Sequence, residues 1–139
     1  MRRLRDVGGF VLLLLGLAAC GQESGSSSSS TSGGGGTGGA TVTAEARAEA
    51  TQIFSTRCAV CHGGQGAGDG PGSAGLSPRP RNLTEAAWQD SVEDSYIERI
   101  IQYGGAAVGK SAAMPSNPDL GGRPEVIAAL REHVRSLRH

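Results

Sequence analysis

The stretch Cys58-Ala59-Val60-Cys61-His62 decides how this chain folds. Two cysteines separated by two residues, with a histidine directly after the second, form a sequence that is typical of covalent haem attachment. Each thiol can form a thioether with one vinyl group of the haem, and the histidine then lies beneath the iron as an axial ligand. The stretch therefore predicts one haem c, bound covalently by Cys58 and Cys61, with His62 on the iron.

Two other kinds of site also use closely spaced cysteines. A structural zinc ion needs four ligands, usually from two such pairs, whereas Cys20 lies far away and His133 and His139 stand apart near the C-terminus. A redox-active dithiol needs a βαβ context, but the residues around Cys58 have a helical pattern on one side and a Gly-rich loop on the other. Haem attachment is the interpretation that these surroundings favour.

The first nineteen residues have the pattern of an export signal. Three arginines, Arg2, Arg3 and Arg5, precede an apolar run from Phe10 to Ala19. This run is shorter than the stretch of about twenty apolar residues that crosses a bilayer. We therefore interpret residues 1–19 as a signal peptide.

The residues Leu17-Ala18-Ala19-Cys20 resemble a bacterial lipobox. The resemblance implies that Cys20 is acylated after cleavage and anchors the protein to the periplasmic face of a bacterial membrane. Gly21, rather than Asp, follows the cysteine, and in lipoproteins of Gram-negative bacteria this weakly favours the outer membrane. The alternative is an ordinary cleavage site that leaves a free thiol.

Residues 20–40 are almost entirely Ser, Gly and Thr. Such a segment cannot bury enough apolar surface to fold, and we predict a flexible linker that spans about 25 Å on average.

Thirteen basic and thirteen acidic residues are present in the chain. Signal cleavage would remove three basic residues and one acidic residue, which leaves a net charge of about −2 on the mature chain. A nucleic acid is therefore not an expected partner.

Residues 41–139 form the predicted folded domain, and three of its segments have helical periodicity. The first runs from Thr43 to about Arg57. The second follows a capping Ser91 and ends at Gly104-Gly105, and the third begins at Pro124. The apolar positions expected to face the core are Ala46, Ala50, Ile53 and Phe54; Ile97, Ile100 and Ile101; and Ile127, Leu130, Val134 and Leu137.

The stretches between these helices are rich in Gly, Pro and Ser and show no strand periodicity. A short extra helix is predicted near Trp88. The chain is therefore expected to be all-α, with three or more helices and long loops. Loops of this length in a small domain are usually functional or packed on something, and a haem would serve as that packing partner.

The order of motifs resembles class I cytochrome c from Thr43 to the end of the chain. The matching pieces, in order, are Cys58–Gly63, Gly68-Asp69-Gly70-Pro71, Pro80-Arg81-Asn82-Leu83, Ala113-Met114-Pro115 and the last helix. The resemblance implies a cytochrome c-like fold wrapped around a covalent haem. It also implies that Met114 is the second axial ligand of the iron and that the Pro71 carbonyl accepts a hydrogen bond from His62 Nδ1.

Each implied role has an alternative. Met114 could be a core filler, and His133 is the competing iron ligand, although the apolar stripe of its helix predicts that it faces solvent. Pro71 could be a simple turn residue.

Arg81, Arg79 and Trp88 are candidates for holding the haem propionates, or else ordinary surface groups. Tyr103 is a candidate for packing at the haem edge or else an ordinary core residue, and His139 is expected to be frayed.

An iron with both axial positions filled by protein has no open site for a substrate. We therefore predict an electron-transfer protein rather than an enzyme, with redox proteins as electron donor and acceptor and no small-molecule substrate. Lys110 is the sole lysine, so docking should be mainly apolar with a modest salt dependence. The alternatives are a haem-based sensor and a haem subunit of a larger oxidoreductase.

Overall fold

The computed structural model describes residues 40–139. The predicted signal peptide, the predicted acylation site Cys20 and residues 20–39 of the predicted linker lie outside the described residues. The described part is helical and contains no strand, in agreement with the all-α prediction. Its α-helices are α1 (Ala44–Ile53), α2 (Ala59–His62), α3 (Ala86–Ser91), α4 (Asp94–Tyr103) and α5 (Pro124–Ser136). None of the helices within residues 40–139 is long and apolar enough to cross a membrane.

Helix α1 begins where the sequence predicts. Thr43 has extended backbone geometry and its hydroxyl accepts a hydrogen bond from the amide of Ala46 at 3.2 Å, which caps the helix. The four residues predicted to face the core are all buried: Ala46, Ala50, Ile53 and Phe54. The helix does not end near Arg57, however. It widens into a π-helical turn, Phe54–Cys58, and continues as α2 to His62.

The predicted extra helix near Trp88 is present as α3, and it changes the role of Ser91. Ser91 is the last residue of α3, where its hydroxyl donates to the carbonyl of Trp88 at 2.8 Å. The prediction that Ser91 caps the following helix is therefore wrong. Glu93 takes the N-cap position of α4 and makes no side-chain capping bond. Helix α4 stops at Gly104, as expected, because that residue has a positive φ of 78°.

Helices α1 and α4 pack against α5, and the core lies between them. Helix α5 starts with Pro124, as the sequence predicts, and Ile127, Leu130 and Val134 are buried. Leu137 is only partly buried and packs against the edge of the core. Ile100 of α4, which was also predicted to face the core, is only partly buried and is not among the residues that pack against it. The remaining buried apolar residues are Leu83, Ile97, Ile101, Leu120, Val126, Ala128 and Ala129.

An ion pair joins the first helix, α1, to the start of the last helix, α5. Arg123, directly before α5, contacts both carboxylate oxygens of Glu49 on α1 at 2.6 and 2.5 Å. This hydrogen-bonded pairing lowers the pKa of Glu49 below its usual value. Because both side chains are partly exposed, the ion pair contributes little to the stability of the fold.

Candidate haem site

The three residues of the predicted attachment motif lie on one helical segment. Cys58 is the last residue of the π-helical turn, and Cys61 and His62 are the last two residues of α2. Both thiols are free and partly buried. The helix ends there because Gly63 has a φ of 79°, a left-handed value that favours glycine.

A backbone carbonyl orients the imidazole of His62. Nδ1 of His62 lies 3.0 Å from the carbonyl oxygen of Arg81. With its proton on Nδ1, the ring donates to this carbonyl and leaves the lone pair of Nε2 free to bind a metal. Burial lowers the pKa of His62, while the contact with Arg81 acts in the opposite direction. The neutral ring, which is the form that binds metals, is therefore favoured.

The prediction that Pro71 supplies this carbonyl is wrong. Pro71 is exposed and begins a short 3₁₀ turn, Pro71–Ser73. The loop after α2 instead brings a later segment to the histidine. A Cβ on Gly68 would lie only 2.6 Å from the carbonyl of Pro80, so the absence of a side chain there allows residues 80 and 81 to approach His62.

The same loop closes tightly over α2. The amide of Gly68 donates to the carbonyl of His62 at 2.7 Å, and the amide of Gly70 donates to the carbonyl of Cys61 at 3.1 Å. A Cβ on Gly70 would clash with the backbone carbonyls of Ala59 and Val60. The glycines of the predicted motif therefore allow the loop to pack directly on the backbone of the attachment segment.

The electrostatics of Cys58 argue against a reactive dithiol. Burial raises the pKa of the Cys58 thiol and the neighbouring Cys61 raises it further, while Arg57 lowers it by a smaller amount than burial. Redox-active CxxC cysteines have a lowered pKa. In addition, no group of three or more His, Cys, Asp and Glu side chains within residues 40–139 is placed to hold a metal ion. Two free thiols beside an oriented imidazole suit a covalently held haem better than a dithiol or a zinc ion.

Met114 lies on a separate loop that is fixed to the end of α4. Its carbonyl accepts a hydrogen bond from the amide of Gly105 at 3.0 Å. Three residues later, Asn117 donates from its side chain to the carbonyl of Ile101 at 2.7 Å. The side chain of Met114 is partly buried. The loop is thus held at two points, and iron ligation by Met114 stays a prediction.

The other residues considered for the haem have partners within the protein or are exposed. The guanidinium of Arg81 lies 3.2 Å from the carboxylate of Glu85, and both side chains are about half exposed. Arg79 is exposed, Trp88 packs against the core, and Tyr103 is 56 % exposed. Propionate binding by Arg81, Arg79 or Trp88 stays a prediction.

The prediction that His133 faces solvent is wrong. Its ring packs against that of Phe54, and its Nε2 is buried without a hydrogen-bond partner among the described residues. The buried stripe of α5 is wider than predicted, because it includes Val126 and Ala129, which lie seven and four positions before His133. His139 was predicted to be frayed. Its backbone amide instead donates a hydrogen bond to the carbonyl of Thr84 at 3.2 Å.

Residues 47–138, well over half of the chain, match the family model described as Cytochrome c. The match begins within α1 and ends after α5, so it includes the attachment segment, the loop over α2 and the Met114 loop. No curated protein matches the chain.

Proposed function

Since the chain belongs to the cytochrome c family, whose cofactor is covalently attached haem c and whose members generally transfer electrons, we propose that it is a membrane-tethered carrier of single electrons. The observation that carries this proposal is the 3.0 Å contact between His62 Nδ1 and the Arg81 carbonyl. It orients an imidazole directly after two free thiols, as a haem attached at Cys58 and Cys61 requires.

The haem would supply the one-electron Fe(III)/Fe(II) couple, and the protein would hold its two axial positions. We assign these to His62 and Met114. Support for Met114 comes from its loop, which Gly105 fixes to α4, and from Pro115, which restricts Met114 to extended geometry. His133 is the less suitable ligand because its ring is packed against Phe54. A thioether ligand raises the reduction potential, and two protein ligands leave no position for a substrate.

The expected partners are redox proteins that dock around the attachment segment. Val60 lies between the two cysteines and is 47 % exposed, which supplies an apolar contact surface. Most of the described arginines are already paired with carboxylates of this chain, as Arg57 is with Asp119 and Arg138 is with Asp90. Lys110 is the sole lysine. These features support apolar docking with a modest dependence on salt.

The tether in this proposal is an acyl group on Cys20, followed by the flexible linker. Acylation would hold the domain at the periplasmic face of a bacterial membrane, with the outer membrane weakly favoured. Several acyl chains anchor stably, because each buried CH₂ contributes about 0.8 kcal/mol. Cys20→Ser should release the protein to the soluble periplasmic fraction. Retention of this variant in the membrane fraction would overturn the tether without affecting the electron-transfer proposal.

A redox titration with two matched variants tests the electron carrier. The purified protein should show one reversible one-electron wave and should not bind carbon monoxide rapidly in the reduced state. Met114→Leu keeps the apolar volume but loses the sulfur, so it should lower the reduction potential and admit carbon monoxide. His133→Leu should change neither property.

Two results would count against this assignment. If His133→Leu changes the potential and admits carbon monoxide while Met114→Leu does neither, the sixth ligand is His133. If the unaltered protein binds carbon monoxide rapidly, the iron has an open position. The protein would then be a haem-based sensor rather than a carrier.

A further inference from the structure

Two adjacent glycines at the end of α4 lie against the backbone of the loop that carries Met114. Gly104 and Gly105 directly follow the helix, and both are buried. A Cβ on Gly104 would lie 2.8 Å from the carbonyl oxygen of Met114 and 2.8 Å from the amide nitrogen of Ser116. Because these are backbone atoms, they cannot turn aside as the end of a flexible side chain can. The absence of a side chain therefore lets the loop lie directly on the end of α4.

Gly105 adjoins Met114 at three points. A Cβ on Gly105 would lie 3.3 Å from Cβ of Met114 and would overlap the carbonyl oxygen of Ser111. That same carbonyl accepts a hydrogen bond from the amide of Met114 at 3.2 Å. The amide of Gly105 in turn donates to the carbonyl of Met114 at 3.0 Å. A side chain at residue 105 would therefore disturb the groups that hold Met114 at its amide, at its carbonyl and at its Cβ.

Asn117 fixes the same loop to α4 on the other side of Met114. Its side-chain Nδ2 donates to the carbonyl of Ile101 at 2.7 Å, and its backbone amide donates to the carbonyl of Gln102 at 2.9 Å. Carbonyls in the last turn of a helix have no partner within that helix, so Asn117 caps α4 while it holds the loop. Met114 lies between this contact and the contact with Gly105, which restricts the backbone from which its side chain extends.

We propose that Gly105 is a positioning residue for iron ligation by Met114, and that Gly104 and Asn117 support it. The space above the Cα of Gly105 sets where Cβ of Met114 lies, and the thioether extends from that atom. A ligand must be held within about 0.5 Å of its bonding position. A side chain at residue 105 forces the loop away from α4 and moves Met114 out of that range. This inference rests on the proposed ligation by Met114.

The chain supplies a steric test and a matched control for it. Gly105 has a φ of −64°, which alanine adopts without strain, so Gly105→Ala adds bulk and nothing else. Gly122→Ala is the control, because Gly122 is exposed and no atom lies within 4 Å of its added Cβ. Gln89→Met controls for a general loss of stability, since it removes buried hydrogen bonds that do not involve the Met114 loop.

The test uses the full-length chain with its haem attached, at a temperature below the unfolding transition of every variant. Two properties report on the Met114 sulfur: the far-red charge-transfer band that a thioether ligand gives with Fe(III), and the rate at which the reduced protein binds carbon monoxide. Gly105→Ala should lose most of the band and bind carbon monoxide about tenfold faster or more. Gly122→Ala and Gln89→Met should match the unaltered protein in both properties.

Asn117→Leu provides a second, milder variant. It adds no bulk beside Gly105 but removes the hydrogen bond from Nδ2 to the carbonyl of Ile101. An opening of the loop then no longer breaks that bond. Carbon monoxide should therefore bind about two- to tenfold faster, which corresponds to the free energy of one hydrogen bond.

An intact band with slow carbon monoxide binding in Gly105→Ala would overturn the inference, even if this variant melts at a lower temperature. Equal loss of the band in Gln89→Met would also overturn it, because general instability would then explain the effect. If Gly105→Ala does not accumulate, Asn117→Leu decides, and an unchanged rate of carbon monoxide binding overturns the inference. Absence of the band from the unaltered protein would instead overturn the ligation by Met114 itself.

Discussion

The imidazole of His133 packs against the ring of Phe54, with ring centroids 4.4 Å apart and ring planes inclined at 51°. Phe54 belongs to the helix that leads to the attachment segment, and His133 belongs to α5. Nε2 of His133 is buried without a hydrogen-bond partner among residues 40–139. The contact between these helices therefore contains a titratable ring, and protonation of that ring would place an unpaired charge in the contact and weaken it.

This contact predicts a pH-dependent stability. Burial lowers the pKa of His133 below its usual value of 6.5. The unfolded chain then binds the proton more readily than the folded one, so the stabilisation is complete above about pH 6.5 and is lost as the pH falls toward the lowered pKa. Melting temperatures measured between pH 7.5 and 5 should fall more steeply for the unaltered protein than for His133→Leu.

The control for that experiment is His139→Leu, because His139 is exposed. This variant should keep the slope of the unaltered protein. His62 is present in every protein of the series, so its own titration cancels in the comparison. Parallel slopes for His133→Leu and the unaltered protein would show that the ring is not the source of the pH dependence.

Gly70→Ala should destabilise the attachment site. The backbone at Gly70 has an ordinary φ of −58°, so the effect is steric: an added Cβ would meet the carbonyls of Ala59 and Val60, which belong to helix backbone and cannot move aside. Overpacking of this kind costs about 1–3 kcal/mol. Gly64→Ala is the control, because no atom lies within 4 Å of its added Cβ. The free energies of unfolding of the two variants, measured with denaturant, should therefore differ by about 1 kcal/mol or more.

Gln89→Met should be among the most destabilising single changes at a polar residue. Gln89 is 2 % exposed, and its Nε2 donates to the carbonyls of Leu83 and Val134 at 2.7 and 2.8 Å. The substitution keeps the volume but leaves two buried carbonyls without this donor, at a cost of about 1–3 kcal/mol each. Gln65→Met, at an exposed position, should leave the unfolding free energy unchanged. Equal midpoints for the two variants would contradict this role of Gln89.

Cys58→Ala and Cys61→Ala should each leave at most one thioether. The remaining cysteine can still add to one vinyl group, so the expected product is a haem with one unreacted vinyl and a lower yield of holoprotein. The absorption spectrum of the denatured protein in alkaline pyridine distinguishes one thioether from two. A spectrum and a yield identical to those of the unaltered protein would remove both cysteines from the proposed site.

Local patterns in the sequence predicted the helices well. The four buried residues of α1 and the start of α5 at Pro124 follow from periodicity and capping, which depend only on neighbours along the chain. The prediction for Ser91 was wrong because two helices, α3 and α4, lie where the sequence offered one capping signal. Capping residues near a short helix can serve either end.

The partner of His62 could not be predicted in the same way. The group that contacts its Nδ1 is a backbone carbonyl, and every residue has one, so the identity of Arg81 leaves no signal. The sequence placed Pro71 in this role through resemblance alone. The actual partner depends on how tightly the glycine loop folds back, and Gly68 permits an approach that periodicity does not describe.

The sequence by itself determined the cofactor class, the helical fold and the three residues that present two thiols and an imidazole, because these depend on residue types at fixed short spacings. Tertiary structure alone decided the π-helical turn before that segment, the carbonyl of Arg81 and the burial of His133. The last two of these arise where segments far apart in the chain meet. Packing between them selects one arrangement from several that the local sequence allows.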